Sequence, residues 1–262
     1  MTAVRVATFN VNSLRAREAR VLAWLERTRP DVVLLQELKL EDDKFPDVVF
    51  RGAGYGAAVY GQKTYNGVAI LSRHPLAEVS RGFGDGVVDP QARFVCARTA
   101  GLLVASVYVP NGESVGSDKY RYKLAFFERL AAWARPRVAA GEPLVIGGDY
   151  NVAPGDLDAH DPYAWRGRLL FSDEERAAFA ELRATGLHDV VRERNPGAKL
   201  YTWWDYRLGA FAKDRGLRID HLLAASAVAA RATAAGVDRD ERDDRGPRPP
   251  SDHAPAWIEI AA

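Results

Sequence analysis

The chain has 262 residues, of which 47% are hydrophobic and 27% charged, and its formal net charge is +1. That length fits one large domain or two small ones, and the apolar share excludes wholesale disorder. The near-neutral balance excludes a global basic field, though not a local basic patch, and the one cysteine, Cys96, cannot form an internal disulfide, which fits a reducing compartment.

No basic segment followed by an apolar stretch opens the chain, and no apolar run reaches membrane-span length. A cytoplasmic protein without membrane contact is the expectation. Residues 4–9 alternate as a strand does. Residues 13–28 carry Leu14, Val21, Leu22 and Leu25 on one helical face, and Pro30 supplies a stop. The run from Asp31 to Gln36 (DVVLLQ) reads as a buried strand that delivers Glu37 at its end. Residues 67–72, 94–99 and 102–109 predict further strands, and residues 120–139 a long amphipathic helix. Residues 144–148 form a strand again. Ser172 with Glu175 makes a capping-box pattern ahead of a helix to about Ala184. Residues 200–204, 218–223, 232–237 and 256–260 complete the strands.

Runs such as VVLLQ and LLVASVYV are apolar on both faces and need cover from another layer. Two sheets packed face to face with helices outside meet that need, so the expected fold is a four-layer α/β sandwich of two mixed sheets. No linker splits the chain, and residues 1–262 are expected as one domain. The charged, proline-rich stretch 238–250 is expected to be a solvated loop. A weak internal echo is visible: in both halves a strand ends in polar residues.

The strand ends carry the chemistry. In LVIGGDYN, residues 144–151, an extended chain would point Asp149 and Asn151 the same way. The two glycines leave room for something to come close to the backbone. Other strand ends present Asn10 and Asn12, Glu37, Tyr108 and Asn111, Asp220, and then Asp252 with His253. Each alone reads more simply as a turn former, a cap or a solvated side chain. Together they place several acids, amides and one histidine on one edge of a sandwich. Crowded carboxylates repel unless a hard cation joins them, and oxygen ligands without cysteine favour Mg²⁺ or Mn²⁺ over zinc. A metal, a base, an imidazolium and amide donors suit displacement at phosphorus. A serine-hydrolase triad is excluded, because Ser251, Asp252 and His253 are adjacent and no G-x-S-x-G occurs. No phosphate loop of the Walker type occurs either.

The stretches TFNVNSLRAR, PDVVLLQELK, GVAILS, YVPNGE, IGGDYNVAP, YTWWDYR, GLRIDHLL and PSDHAP run in order along nearly the whole chain. In them the sequence resembles bacterial exonuclease III of the endonuclease/exonuclease/phosphatase superfamily. The Q-E, G-D-x-N and S-D-H motifs are general to that superfamily, whereas YTWWDYR with GLRID resembles the abasic-site repair branch. The resemblance implies Glu37 as the main Mg²⁺ ligand, with Asn12, Asn10 and Asp252 as further metal contacts. It implies Asp149 as the residue that orients or activates water and Asn151 as a phosphate holder. Asp220 would fix the ring of His253, and Tyr108 and Asn111 would flank the phosphate. Trp203, Trp204 and Leu217 would wall a sugar pocket, with one of the adjacent tryptophans in the core. Arg207 and Arg218 would contact DNA phosphates. The implied partner is double-stranded DNA with abasic sites or 3′ ends, bound by a nucleoid-associated monomer. Leu38, Ser114, His221 and the segment 156–171 depart from the family pattern. Two other readings remain open: a phosphatase or lipid phosphodiesterase of the same superfamily, and an inactive DNA-binding module.

Overall fold

The computed structural model describes residues 3–243 and 249–261. In chain order its strands are β1 (Val4–Asn10), β2 (Val32–Gln36), β3 (Gly56–Tyr60), β4 (Val68–Ser72), β5 (Ala77–Arg81), β6 (Phe94–Thr99), β7 (Leu102–Tyr108), β8 (Leu144–Asp149), β9 (Leu187–Asp189), β10 (Asp220–Ala225), β11 (Ala232–Val237) and β12 (Ala256–Ile260). They form two six-stranded sheets, ordered β11-β12-β1-β2-β4-β3 and β5-β6-β7-β8-β10-β9. In each sheet only the third and fourth strands run parallel, β1 with β2 and β7 with β8. A parallel pair needs a crossover, usually a helix. Helix α1 (Leu14–Thr28) makes the first crossover. After the short α2 (Asp47–Gly52), helix α3 (Asp118–Ala139) makes the second. The echo between the two halves in the sequence is this repeated unit.

Every residue of β2 is buried, and its period of two explains why. Val32 and Leu34 face the other sheet, where they meet Val104, Val145 and Leu222. Val33 and Leu35 face α1 and meet Val21, Trp24 and Leu25. The far sheet is covered in the same way by α3 and, beyond the one-turn α4 (Pro162–Trp165), by α5 (Asp173–Arg183). The four-layer α/β sandwich is therefore present. Each fully buried aliphatic side chain in these layers contributes about 1.5–3 kcal/mol, so Leu34→Ala would open a cavity between the sheets.

The helix starts read from sequence hold within two residues. Ser117 caps α3 through the Tyr120 N–H. Ser172 and Glu175 form the expected reciprocal capping box on α5. Residues 200–204 depart from expectation. They join no sheet and pair only through isolated bridges of Trp203 with Leu217 and His253. The glycines of β8 also serve another purpose than expected. A Cβ on Gly147 would lie 2.5 Å from Leu34 Cδ1, and one on Gly148 would lie 1.9 Å from the Val107 carbonyl oxygen. What comes close to this backbone is the facing sheet and the neighbouring strand, not a ligand.

The stretch 238–250 is not uniformly solvated. Asp238 accepts hydrogen bonds from the indoles of Trp24 (2.7 Å) and Trp257 (2.8 Å), and Glu241 and Arg242 are buried. Residues 244–248 of that stretch lie outside the described residues. No helix among the described residues is long and apolar enough to cross a membrane.

Candidate active site

The C-terminal ends of both parallel pairs point to one edge of the sandwich, and the polar residues gather there. A cavity of about 240 Å³ is lined by Glu37, Tyr108, Asn111, Asp149, Asn151, Leu170, Trp203, Ile219, Asp252 and His253. Its acids come from strands of both sheets. Asn10 joins them: its amide donates to Glu37 Oε1 (2.8 Å) and Asp149 Oδ2 (2.9 Å), while its oxygen accepts from the Asn12 N–H (3.0 Å). Asn10 therefore spaces two carboxylates with its amide N–H groups, while the Asn12 main chain orients its oxygen.

Asn12 donates to Asp252 Oδ1 (2.8 Å), whose other oxygen accepts from the Trp203 indole (3.0 Å). Lys39 was not anticipated from the sequence. Its ammonium lies 3.0 Å from Glu37 Oε2 and 2.5 Å from Asn12 Oδ1. A positive charge thus sits against two of the four residues expected as metal contacts, whose oxygens are hard donors of the kind a divalent cation takes. The signal lay two residues beyond Glu37, in QELK. Among the described residues one acidic group could hold a metal: Glu37, Asp149 and His253 offer ligand atoms within 4.8 Å of one another.

Asn151 reaches the site differently from expectation. Its φ is 51°, so the chain turns there rather than staying extended. Its N–H and side-chain amide both bond Asp149, at 2.8 and 3.2 Å. The two residues share one spot because the turn folds one onto the other. Asn12 (φ 42°) and Glu37 (φ 52°) are also left-handed. Such conformations cost of order 1–3 kcal/mol each and gather at functional sites. Asn111 completes this wall by donating to Asn151 Oδ1 (3.0 Å).

His253 is buried, with Nδ1 2.9 Å from Asp220 Oδ2 and Nε2 3.9 Å from Asp149 Oδ2. Burial alone would lower its pKa, but Asp220, then Asp149 and Asp252, outweigh this and raise it to about 10. Asp149 is raised to about 7, mainly by burial, against the pull of His253 and with help from Asp220 and Glu37. Burial pushes the Tyr108 phenol well above its ordinary value, and Glu37 and Asp149 push it further. The Tyr108 ring carries the Arg93 guanidinium 4.6 Å from the ring centroid. Asp220 is fully buried, and its Oδ1 has no hydrogen-bond partner among the described residues. Thr202 fixes the start of β10 by accepting from the Ile219 and Asp220 N–H groups (3.1 and 3.0 Å).

A family model described as the endonuclease/exonuclease/phosphatase family matches residues 7–253. The chain belongs to the endonuclease/exonuclease/phosphatase family. It is 37% identical over 269 residues to exodeoxyribonuclease III of Haemophilus influenzae, across 98% of this chain and 100% of that one. Among solved structures it is similar to a 3′ phosphatase from Neisseria bound to a product DNA hairpin, with a TM-score of 0.95 and 40% identity over 99% of this chain and 100% of that one. It is also similar to an AP endonuclease from Archaeoglobus fulgidus, with a TM-score of 0.93 and 36% identity over the same shares.

Two residues that the sequence assigned to substrate contact, Arg218 and Leu217, are buried and line no part of the cavity, and one of the adjacent tryptophans lies in the core as expected. Arg218 is fully buried, its guanidinium bonded to Asp158 (2.7 Å) and Asp189 (2.7 and 3.0 Å). It ties β10 to neighbouring loops and does not reach the surface, so it cannot touch a phosphate outside. Trp204 is fully buried against Tyr201 and Phe211 and belongs to the core. Leu217 is fully buried beneath the cavity, paired with Trp203. Arg207 is exposed at the surface, where it pairs with Asp205 at 2.7 Å. Of the expected apolar wall only Trp203 lines the cavity, and Leu170 and Ile219 supply the rest. His221, a departure from the family pattern, is buried and bridges Arg218 and the Val152 carbonyl. Leu38, another departure, is buried under α1.

Proposed function

We propose that this protein is a metal-dependent DNA-repair phosphodiesterase of exonuclease III type. It would act as a monomer on double-stranded DNA, at abasic sites and at 3′ ends. One observation carries the reading. Carboxylates, an imidazolium and two asparagine amides converge on a cavity of about 240 Å³ with one apolar wall. That volume has room for a sugar phosphate, and a second cavity of about 600 Å³ that shares Glu37, Tyr108 and Asn111 adjoins it. The names of the similar proteins, an exodeoxyribonuclease, a 3′ phosphatase on DNA and an AP endonuclease, support the same substrate class.

Each side chain then has a task. Glu37 would hold the cation, with the oxygens of Asn12 and Asp252 nearby. Mg²⁺, or Mn²⁺ in its place, would supply Lewis-acid charge for the phosphoryl oxygens when bound. Asp149, with its pKa near neutrality, accepts the proton of the attacking water. His253 faces a phosphoryl oxygen with Nε2–H, while Asp220 holds Nδ1–H and so fixes the ring. Asn111, with one amide N–H left after its bond to Asn151, would donate to the phosphate together with the Tyr108 phenol, while Asn151, whose amide is held by Asp149 and the Val109 carbonyl, would set the position of both neighbours. Trp203, Leu170 and Ile219 exclude water beside the sugar.

The test is a three-substrate panel with Mg²⁺: a duplex with one abasic site, a blunt duplex and an inositol phosphate. Cleavage of either duplex with the inositol phosphate untouched supports the reading. Hydrolysis of the inositol phosphate alone would replace it with the phosphatase reading. Tight DNA binding with no hydrolysis would leave a binding module.

A further inference from the structure

The phosphate-facing wall stands on strained backbone. Asn151 has φ 51° and Leu170 φ 72°. Leucine has no polar side-chain group to offset a left-handed conformation locally. Both are held by one buried ion pair. Lys123, within α3, is fully buried, and its ammonium contacts the carbonyls of Asn111 (3.1 Å) and Asn151 (2.6 Å) and the carboxylate of Glu175. Glu175, also fully buried, accepts from the Leu170 N–H (3.1 Å) and from Ser172. A capping box requires only the bonds between Ser172 and Glu175 and forms equally well without a lysine. A buried ion pair is also weak support for stability, because apolar residues of similar volume often do as well. What this pair adds is position: its bonds end on the main chain of Asn111, Asn151 and Leu170, and all three line the cavity.

We propose that Lys123 and Glu175 are positioning residues for the reaction, clamping Asn111, Asn151 and the Leu170 wall from behind. The inference takes its substrate from the function proposed above, and its geometry stands apart from it. The pair joins α3 to α5, so it also couples the wall to the helical layer of the second sheet.

Lys123→Met removes the ammonium and keeps an unbranched chain. Glu175→Gln keeps an oxygen for the Leu170 N–H. Leu130→Ala, in the core beneath α3 and away from the cavity, serves as a destabilised control. Amide exchange is followed by mass spectrometry in residues 109–113, 149–153 and 168–172, well below the unfolding transition. We expect Lys123→Met to speed exchange there about tenfold or more, the value of a hydrogen bond to a charged group, while the control does not. With Mg²⁺ and the abasic duplex, kcat per folded molecule falls about 100-fold, the effect of a misplacement near 1 Å, and KM stays within about threefold. Glu175→Gln, which weakens a charged hydrogen bond to a neutral one, speeds exchange about threefold over the control and lowers kcat about tenfold, and it carries the test alone if Lys123→Met does not fold. Exchange in the three segments no faster than in Leu130→Ala, or a kcat equal to that control, overturns the proposal. A wild-type protein that leaves the duplex uncut overturns the functional reading alone, and exchange still decides the positioning.

Discussion

The pair His253 and Asp220 gives the most quantitative prediction. His253→Ala removes a donor aimed at charge that develops on phosphorus. Loss of one such donor costs about 2.7–4 kcal/mol, or roughly 100- to 1,000-fold in turnover. Asp220→Asn keeps the volume and the backbone bond to Thr202 (3.0 Å). It removes the carboxylate that, after burial, has the largest effect on the His253 pKa, and its amide can turn N–H toward the ring. The 2.9 Å bond between the two is charge-assisted, so about 1.5–3 kcal/mol is at stake, or roughly 10- to 150-fold at about 1.36 kcal/mol per tenfold. Because Asp220 acts mainly by holding the His253 ring, the double variant should turn over little worse than the more damaged single variant. The assay is single-turnover cleavage of the abasic duplex at saturating Mg²⁺, with folding checked by circular dichroism. Multiplicative losses, about 1,000-fold or more in the double variant, would refute the coupled pair. Near-normal turnover in either single variant would remove it from the reaction.

Three other expectations follow from the same geometry. Asp149 and His253 hold protons more tightly folded than unfolded, at about 7 against 3.8 and about 10 against 6.5. Their stabilisation is complete below 3.8 and 6.5 and is lost as pH rises through the folded values. The Tm of the metal-free protein should therefore fall between about pH 6 and pH 9, and Asp149→Asn should flatten that fall. A Tm rising across that range would contradict both shifts. Glu37→Gln removes the ligand charge, so calorimetry should find Mg²⁺ affinity reduced, and unchanged affinity would move the metal elsewhere. Arg218→Ala should destabilise by about 3 kcal/mol, because buried Asp189 loses its bidentate cation while Asp158 keeps Arg192, yet leave the salt dependence of DNA binding unaltered. Arg207→Ala, at the surface, should reduce the salt slope by about one.

The elements that were legible in the sequence are those whose burial is two-sided or whose ends are capped. VVLLQ on β2 and the Ser172–Glu175 box are examples. Strands β3 and β5 were not read, because GAAVY and AEVSR at the sheet edges carry too little apolar alternation. The segment around Trp203 looked like a strand by composition, but it is held by isolated bridges and by Thr202. Site residues at strand ends were legible because turn formers at so many buried strands had to share one edge. Lys39 was passed over although it stands two residues beyond Glu37, and Leu170 and Ile219 were not legible, since each depends on a contact between distant segments. Arg218 was misread for the same reason. A basic residue beside a motif looks like a phosphate contact until Asp158 and Asp189, 60 and 29 positions away, are seen to enclose it.

The central claim is that the acidic edge joining the two sheets is a metal-dependent phosphodiesterase site for damaged DNA. The most direct test strips the protein with EDTA, returns Mg²⁺ stepwise and follows incision of a duplex with one abasic site on a sequencing gel. The account predicts no incision in the stripped protein, recovery as Mg²⁺ returns, and recovery in Glu37→Gln only at higher Mg²⁺. Undiminished incision in excess EDTA, or recovery of Glu37→Gln at the same Mg²⁺ as the wild type, would contradict it.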